Sequence, residues 1–582
     1  METLLAAFQR TLTRSIQDAF DLSGEEAFAD VAPCVQEEFG HYQCNSALRL
    51  SKLLKKNPRQ VAELIIAHLD EGKKAECSKI EIAGPGFINF TLNPAYLSET
   101  LNRQLHDLHL GAVRPSKKQR IIVEFSSPNV AKELHVGHIR STIIGDCLAR
   151  LFEFLGHDVL RLNHIGDWGT QFGMLITYMK EFAPDVLQGK EETDLTSLMG
   201  WYRSAKKRFD EDPEFKKRSQ LQVVQLQAGE KEAAHAWQLI CEVSRRGFQE
   251  IYDLLNVKLV ERGESFYNPY LKEVVEEFER KGLVEISDGA KCLFLDGFLN
   301  REGEPFPLMI QKSDGGYNYD TTDLAAIRHR IFDEKADRII VVTDSGQSLH
   351  FQMIFAAAKK IGCLDSSRTE IDHVGFGLVL GPDGKKFKTR SGETEKLIDL
   401  LTGAVDQAKH ILCERLPLAT EDEIEELAQV IGIGAVKYSD LSTHRARDYT
   451  FSYERMLRFE GNTAVFLLYS FVRINGIKRK TQANMDYVLS HHKIDVQHPS
   501  EITLGLHLRR FGEILEHLSR DLLPNRLCEY LYELAEKFNA FFRDCRVEGT
   551  PEEGSRLVLC ELTSRVLKQG LEILGLDTVE RL

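Results

Sequence analysis

The segment 121–156 constrains the fold of this chain more than any other part of the sequence. It begins with the apolar run Ile121–Phe125, which predicts a buried strand. A short polar turn leads to the motif His-Val-Gly-His at 135–138. Apolar residues at steps of three and four then predict a helix that stops at Gly156. This order is typical of an anion-binding site, because the unpaired N–H groups and the positive dipole end of a helix face the space above the strand.

The His-Val-Gly-His motif resembles the ATP site of class I aminoacyl-tRNA synthetases. In that resemblance Gly137 leaves room for adenine, while His135 and His138 donate hydrogen bonds to the phosphates, where charge accumulates during attack on the α-phosphorus. On their own, these four residues fit two ordinary histidines at a helix start equally well. The longer string at 124–138, Glu-Phe-Ser-Ser-Pro-Asn-Val-Ala-Lys-x-x-His-Val-Gly-His, is more specific. It is similar to the arginyl-tRNA synthetase family, in particular to its cytosolic-type members.

The resemblance implies a pocket for a guanidinium, which is planar, always charged and carries five donors in a fixed fork. Tyr319 and Asp323 lie four residues apart at a predicted strand-to-helix junction, so they share one helix face. The family places both at the guanidinium of arginine, together with Glu124. An Asp–guanidinium pair discriminates against lysine and citrulline, which leave acceptors unpaired. Without the resemblance, Asp323 would be interpreted as a helix N-cap.

Further pocket residues carry over from the family. Asn129 and Gln347 are predicted to bind the α-amino and carboxylate ends of arginine. Ser127 and His138 line the same wall. Trp168 matches a pocket aromatic of the family, and would otherwise be a core residue.

Class I synthetases also carry a Lys-Met-Ser-Lys-Ser loop late in the fold, whose second lysine steadies the pyrophosphate. The corresponding stretch here, 384–392, is a basic, glycine-flanked loop suited to closing over phosphates. It departs from the pattern, because a threonine stands where the second lysine would be. Many arginyl enzymes share this departure and place a lysine just upstream of the His-x-Gly-His, as Lys132 does here. The sequence leaves open which of Lys386, Lys388 and Arg390 reaches the phosphates.

The chain is long enough for about three domains, and the predicted fold class is α/β. Residues 1–115 predict an N-terminal α/β domain, with two strands around a Gly-Pro-Gly turn. Residues 119–409 predict a Rossmann-type parallel-sheet catalytic domain, with a helical insertion at about 180–300. Residues 410–582 show helical spacing throughout and predict an all-α bundle, which matches the anticodon-binding domain of the family.

The N-terminal domain resembles the part of the family that touches the D-loop of tRNA. Tyr42, Gln43 and Asn45 are candidate contacts, with Phe39 beside them, because unpaired bases are read by stacking and by amide hydrogen bonds. Burial in the domain core fits Phe39 and Tyr42 nearly as well.

The C-terminal part is expected to meet the tRNA over 438–480, with Asn462, Tyr469 and Arg473 as candidates. The chain carries a net charge of −14, so it needs local basic surfaces to bind a nucleic acid. The run 471–480 holds four cations and no acid, although a solvated charged face explains it equally well.

The eleven cysteines are scattered without a Cys-x-x-Cys, which favours reduced thiols in the cytoplasm and no structural zinc or other protein-bound metal. No apolar run reaches the length of a membrane span, so no membrane partner is expected. We expect a monomer, and the sequence leaves open whether it joins a larger synthetase assembly.

The implied reaction ligates L-arginine to tRNA(Arg). Arginine attacks the α-phosphorus of ATP to give arginyl-adenylate and pyrophosphate, and the terminal ribose of the tRNA then displaces AMP. Mg²⁺ enters with ATP. Two alternatives remain open: another class I nucleotidylyl transferase, or a synthetase-like tRNA-binding protein without catalysis.

Overall fold

The computed structural model describes residues 2–34, 36–381, 383–385 and 396–582. Its chain divides into two compact units. The first unit joins residues 1–116 with residues 458–582, and the second comprises residues 117–457. Within the described ranges, no helix combines the length and apolar character that a membrane span requires.

The N-terminal part of the first unit is an α/β domain. Its four strands pair antiparallel in the order β1-β2-β4-β3, and the hairpin around Gly84–Gly86 confirms the predicted pair of strands. Its apolar core lies between this sheet and the helices. The elements are α1 (Leu4–Phe20), β1 (Val31–Pro33), β2 (Tyr42–Cys44), α2 (Ser46–Leu54), α3 (Pro58–Ala67), α4 (Glu71–Ala75), β3 (Cys77–Ala83), β4 (Phe87–Leu92) and α5 (Pro94–Leu105).

The second unit contains ten strands and twelve α-helices among its described residues. The strands are β5 (Arg120–Glu124), β6 (Asp158–Asn163), β7 (Val260–Glu261), β8 (Glu285–Ser287), β9 (Ala290–Leu299), β10 (Pro305–Gln311), β11 (Arg338–Asp344), β12 (Glu370–Phe376), β13 (Val379–Leu380) and β14 (Tyr449–Thr450). The helices are α6 (Val136–Phe154), α7 (Thr170–Phe182), α8 (Pro184–Leu187), α9 (Leu195–Glu211), α10 (Pro213–Gln227), α11 (Lys231–Leu254), α12 (Leu271–Arg280), α13 (Tyr319–Phe332), α14 (Ser348–Lys360), α15 (Leu397–Arg415), α16 (Glu421–Leu441) and α17 (Tyr453–Met456).

The main sheet of this unit is parallel, with the strand order β12-β11-β5-β6-β7. The strands β6 and β7 lie on one side of β5, and the later strands β11 and β12 lie on its other side. This is the doubly wound, Rossmann-type arrangement. The predicted fold class is therefore confirmed. In such sheets ligands bind beyond the carboxyl ends of the strands where the order reverses, here between β5 and β11.

The helix predicted from the opening segment is α6. It is buried on most of its surface, and it approaches β5 so closely that a Cβ on Gly145 would lie 2.2 Å from the Cβ of Phe125. Gly156 follows the helix with a φ of 95°, a backbone conformation that glycine adopts without strain. The close packing of α6 fixes its N-terminal histidines above the sheet.

The region predicted as a helical insertion at about 180–300 contains α8–α12, but it also contains strands. The short strand β7 pairs with β6 and belongs to the main sheet. β8 and β9 join β10 in a separate antiparallel sheet, in the order β10-β9-β8. Both residues of β7 are exposed, so no apolar run in the sequence predicts this strand.

The C-terminal part of the first unit is helical throughout its elements. They are α18 (Ala464–Lys480), α19 (Met485–His491), α20 (Pro499–Arg509), α21 (Phe511–Asp521), α22 (Asn525–Asp544) and α23 (Glu553–Ile573). The predicted domain boundary at 409/410 falls inside α15. Because α15 and α16 pack on each other and on α6, the structure moves the boundary to Leu457.

Candidate active site

The N-terminus of α6 holds the two imidazoles in defined orientations. His135 is the N-cap residue, and its Nδ1 accepts a hydrogen bond from the Gly137 N–H at 3.0 Å. The Nδ1 of His138 accepts the N–H of His135 at 3.1 Å. In a neutral imidazole, an accepting Nδ1 leaves the proton on Nε2. Both rings therefore present an Nε2–H donor, and their centroids lie 4.0 Å apart.

Gly137 is required by this arrangement. A Cβ at Gly137 would lie 2.8 Å from Cε1 of the His135 ring, closer than real Cβ contacts allow. Burial lowers the pKa of His138 to about 3, and His135 and the nearby positive charge of Lys132 act in the same direction. Burial and Lys132 also lower the pKa of His135. At neutral pH the pair is therefore uncharged, and the exposed ammonium of Lys132 supplies the cation of this region.

The segment that follows the predicted phosphate loop is anchored to the histidine motif. Lys396 forms an antiparallel bridge with His135, and the N–H of Leu397 donates to the Leu134 carbonyl at 2.9 Å. The Lys396 ammonium pairs with Glu133 at 2.8 Å. The loop candidates Lys386, Lys388 and Arg390 lie outside the described residues.

A strained turn connects β5 to this motif. Ser126 and Ser127 have φ values of 69° and 47°, a region that L-residues rarely adopt. The N–H of Ser127 donates to Asn163 at 2.9 Å, and its Oγ accepts the N–H of His164 at 3.2 Å. The exposed Asn129 lies directly over the buried Gly166, where a Cβ would come within 2.2 Å of the Asn129 Oδ1. The predicted residues Ser127 and Asn129 thus share one wall above the ends of β5 and β6.

Tyr319 and Asp323 face a common partner, His350, which the sequence analysis did not identify. The His350 Nε2 lies 2.6 Å from Asp323 Oδ2, and its Nδ1 lies 3.1 Å from Asp320 Oδ1. The exposed ring of Tyr319 lies 5.1 Å from the His350 ring. Burial would lower the pKa of His350, but the hydrogen bonds to the two carboxylates outweigh it and raise the pKa to about 9.

Asp323 also connects this acidic group to the turn after β5. Its Oδ1 lies 3.8 Å from Nε2 of the buried His164, whose own N–H is bound by Ser127. The structure therefore brings Ser127 and Asp323, which are almost two hundred positions apart, to the same edge of the sheet. That edge is the reversal point between β5 and β11.

A further carboxylate, Glu264, belongs to the same group and was missed by the sequence analysis. Burial and the charges of Asp323 and Asp167 raise the pKa of Glu264 to about 8. Asp167 is held by Ser265, whose N–H and Oγ donate to it at 2.8 and 2.6 Å. The half-buried Trp168 stands beside them, with its ring 6.0 Å from that of Trp237. A buried carboxylate beside like charges has a raised pKa, and such perturbed groups are typical of functional sites.

Glu124, at the end of β5, is paired within the protein. Its carboxylate lies 2.5 Å from the Arg330 guanidinium, and both side chains are almost fully buried. If a substrate guanidinium contacts Glu124 as predicted, it therefore shares this carboxylate with Arg330. Gln347 is exposed at the end of the 3-10 turn Ser345–Gln347, which follows β11 at the same edge.

Of the N-terminal candidates, Tyr42 is buried in the core of its own domain. Its ring stacks on Phe8 at 5.0 Å, and its hydroxyl donates to Glu513 at 3.2 Å. A ring held in this way does not stack on a nucleic-acid base, so we remove Tyr42 from the tRNA candidates. Gln43 and Asn45 are half-buried, and Phe39 is 46% exposed.

On α18, the exposed Tyr469 pairs with the half-buried Arg473. The Arg473 guanidinium lies 4.8 Å from the Tyr469 ring centroid and donates to Asn539 at 2.8 Å. The exposed Asn462 lies just before this helix. The other three cations of the run 471–480 are paired with acids, at 2.8 Å for Lys478–Glu561, 3.8 Å for Arg479–Glu580 and 2.9 Å for Lys480–Glu548. The run is therefore less positive than the sequence suggests.

The fold and the histidine motif define the catalytic core of a class I aminoacyl-tRNA synthetase. Family models match along most of the chain: the class I (R) tRNA synthetase catalytic domain over residues 100–453, the DALR anticodon binding domain over 467–582 and the arginyl tRNA synthetase N-terminal domain over 6–92. The chain belongs to the arginyl-tRNA synthetase family.

Individual relatives agree with this assignment. The chain is 62% identical to the arginine--tRNA ligase of Protochlamydia amoebophila, over 100% of both chains. It is 53% identical to that of Chlamydia felis, over 96% of both. The crystal structure of the arginyl-tRNA synthetase from Plasmodium falciparum superposes with a TM-score of 0.87 at 35% identity, over 100% of both chains.

Proposed function

We propose that this protein ligates L-arginine to tRNA(Arg) in two ATP-dependent steps, through arginyl-adenylate, at the edge of the sheet between β5 and β11. The first step releases pyrophosphate and the second releases AMP. Because the chemistry needs no covalent enzyme intermediate, the protein acts by positioning the reactants and by stabilising developing charge. Mg²⁺ arrives as part of the ATP substrate.

The ATP half of the proposed site is the N-terminus of α6. The Nε2–H groups of His135 and His138 donate to the phosphates, and Lys132 adds positive charge where negative charge develops. Gly137 lets the backbone approach the nucleotide. The observation behind these roles is the pair of fixed tautomers, since each Nδ1 already accepts a backbone N–H. Lys386, Lys388 and Arg390 complete the phosphate contacts in this proposal.

The arginine half is the acidic group around Asp323. The observation that carries this proposal is the group of carboxylates at this edge of the sheet: Asp320 and Asp323 lie 3.1 and 2.6 Å from His350, and burial together with the charges of Asp323 and Asp167 raises the pKa of Glu264 to about 8. A guanidinium placed between Asp323 and Glu264 would relieve this repulsion, with Tyr319 closing the exposed side. Glu124 then contributes mainly through its buried pair with Arg330.

The remaining pocket residues bind the other end of arginine. Asn129 and Gln347 hold the α-amino and carboxylate groups in our proposal, because both are exposed at the carboxyl edge of the sheet. Ser127 orients the turn, and Trp168 forms an aromatic wall beside Glu264. This places the carboxylate of arginine toward the histidines and its guanidinium away from them.

The tRNA contacts are proposed on the first unit. Gln43 and Asn45 read the D-loop in the N-terminal domain. Tyr469, Arg473 and Asn462 meet the anticodon side of the tRNA, because a cation–aromatic pair with an exposed ring suits unpaired bases. We further propose that the protein is a monomer. A cytoplasmic location is also proposed, and the free state of the cysteines supports it.

Amino-acid-dependent exchange of pyrophosphate into ATP tests the proposal. The purified protein is assayed with each of the twenty amino acids, with and without tRNA. We expect exchange with arginine alone, and only when tRNA is bound, as is general in this family. Exchange with another amino acid would indicate a different nucleotidylyl transferase. Absence of both exchange and aminoacylation would indicate a tRNA-binding protein without catalysis.

A further inference from the structure

His350 lies at the centre of the acidic pocket but has no free nitrogen for a ligand. It is the third residue of α14, and its side chain is only 14% exposed. One ring nitrogen faces Asp320 at 3.1 Å and the other faces Asp323 at 2.6 Å. A group with both nitrogens occupied does not hydrogen-bond a substrate itself, so its contacts act on the residues that it holds.

A charged His350 at this position destabilises the fold unless the two carboxylates compensate for it. A positive charge in the first turn of a helix faces the positive end of the helix dipole. Burial also disfavours the charged imidazole, yet the two carboxylates raise the pKa of His350 to about 9, so the ring carries two donors at neutral pH. Asp320 and Asp323 therefore stabilise the imidazolium, and the imidazolium fixes the positions of both carboxylates.

Resting on the proposed function, we propose that His350 is a positioning residue that clamps Asp323 and Asp320 at a fixed spacing, so that Asp323 meets the planar guanidinium of arginine in one orientation. Asp323 keeps its Oδ1 toward His164 and the pocket, while Oδ2 is taken by His350. Asp320 is fixed from its other side by the Asn318 amide, at 2.9 Å. Without the clamp, Asp323 would turn freely, and part of the arginine affinity would be spent on ordering it.

Two substitutions separate the parts of this role. His350→Gln keeps an amide donor without the charge, and His350→Phe keeps a flat ring without any donor. Loss of two hydrogen bonds to charged groups predicts a KM for arginine that rises about 10- to 100-fold in His350→Phe. His350→Gln should recover a large part of that loss. The kcat at saturating arginine and the KM for ATP should stay within about threefold of wild type, because the histidine motif is untouched.

The assay is arginine-dependent ATP–pyrophosphate exchange with saturating tRNA on the full chain, and His410→Gln, at an exposed histidine on α15, is the matched control. A lower KM in His350→Phe would mean that the imidazolium only repels the substrate, and it would overturn the proposal. So would a fall in kcat at unchanged KM, or an equal KM in the Gln and Phe variants. If the wild type itself shows no exchange with arginine, the proposed function fails. If the wild type is active and the His350 variants have the same KM for arginine, the inference alone fails.

Discussion

Replacement of Asp323 by asparagine tests the arginine pocket most directly. Asparagine has the same shape as aspartate but no charge, so the change removes the charge-assisted part of the proposed guanidinium pair. A hydrogen bond to a charged group contributes about 1.5–3 kcal/mol, and Asp323 offers the guanidinium one oxygen, Oδ1, because Oδ2 is bound to His350. With Glu264 and Asp320 still in place, we expect a loss of about 1.5–3 kcal/mol, which corresponds to a kcat/KM for arginine reduced about 10- to 150-fold.

The structure also predicts what this substitution leaves intact. Asp323 lies in the second unit, whereas the proposed tRNA contacts Gln43, Asn45 and Arg473 lie in the first. The dissociation constant for tRNA, measured by filter binding, should therefore stay within about twofold of wild type. Asp333→Asn, at the exposed C-terminal end of the same helix, is the matched control and should leave both quantities unchanged. The assignment would be refuted if Asp323→Asn lost a comparable amount of tRNA affinity, or if its kcat/KM were reduced by less than about tenfold.

Three further changes test other parts of the molecule. His138→Ala should lower the rate constant of single-turnover aminoacylation about 100- to 1,000-fold, since it removes a donor that acts at the transition state; a near-normal rate constant would exclude that role. Arg140→Met should lower the free energy of unfolding by about 3–5 kcal/mol in urea titrations, because it strands the fully buried Asp440, and adding Asp440→Leu should restore most of it. Burial lowers the pKa of His507 to about 3, so its native form binds fewer protons than its unfolded form, and stability should fall as the pH drops below about 6.5; His507→Gln should flatten that fall between pH 7 and pH 5.

The elements that the sequence predicts well are those with a local signal. β5 and α6 each contain a buried apolar pattern, and each forms where that pattern lies. β7 escapes prediction because it has two exposed residues and pairs only through the sheet. Tyr42 shows the same limit for a site residue. Its burial depends on Phe8 and on Glu513, which lies 471 positions away, so no local pattern distinguishes a core ring from a stacking ring.

The two halves of the proposed site differ in how far the sequence predicts them, and the physical reason is the same. The phosphate-binding half is built from consecutive residues, since one strand, one turn and one helix N-terminus suffice to orient two imidazoles. The amino-acid half collects carboxylates from separate segments, with Glu264 and Asp323 on different elements and His350 on a third. The proposal that these carboxylates bind a cation depends on burial and on their closeness after folding, which together raise the pKa of Glu264 to about 8 and exist only in the tertiary structure. A motif therefore identifies the nucleotide that such a protein uses, whereas the choice of amino acid follows from charges that only the fold brings together.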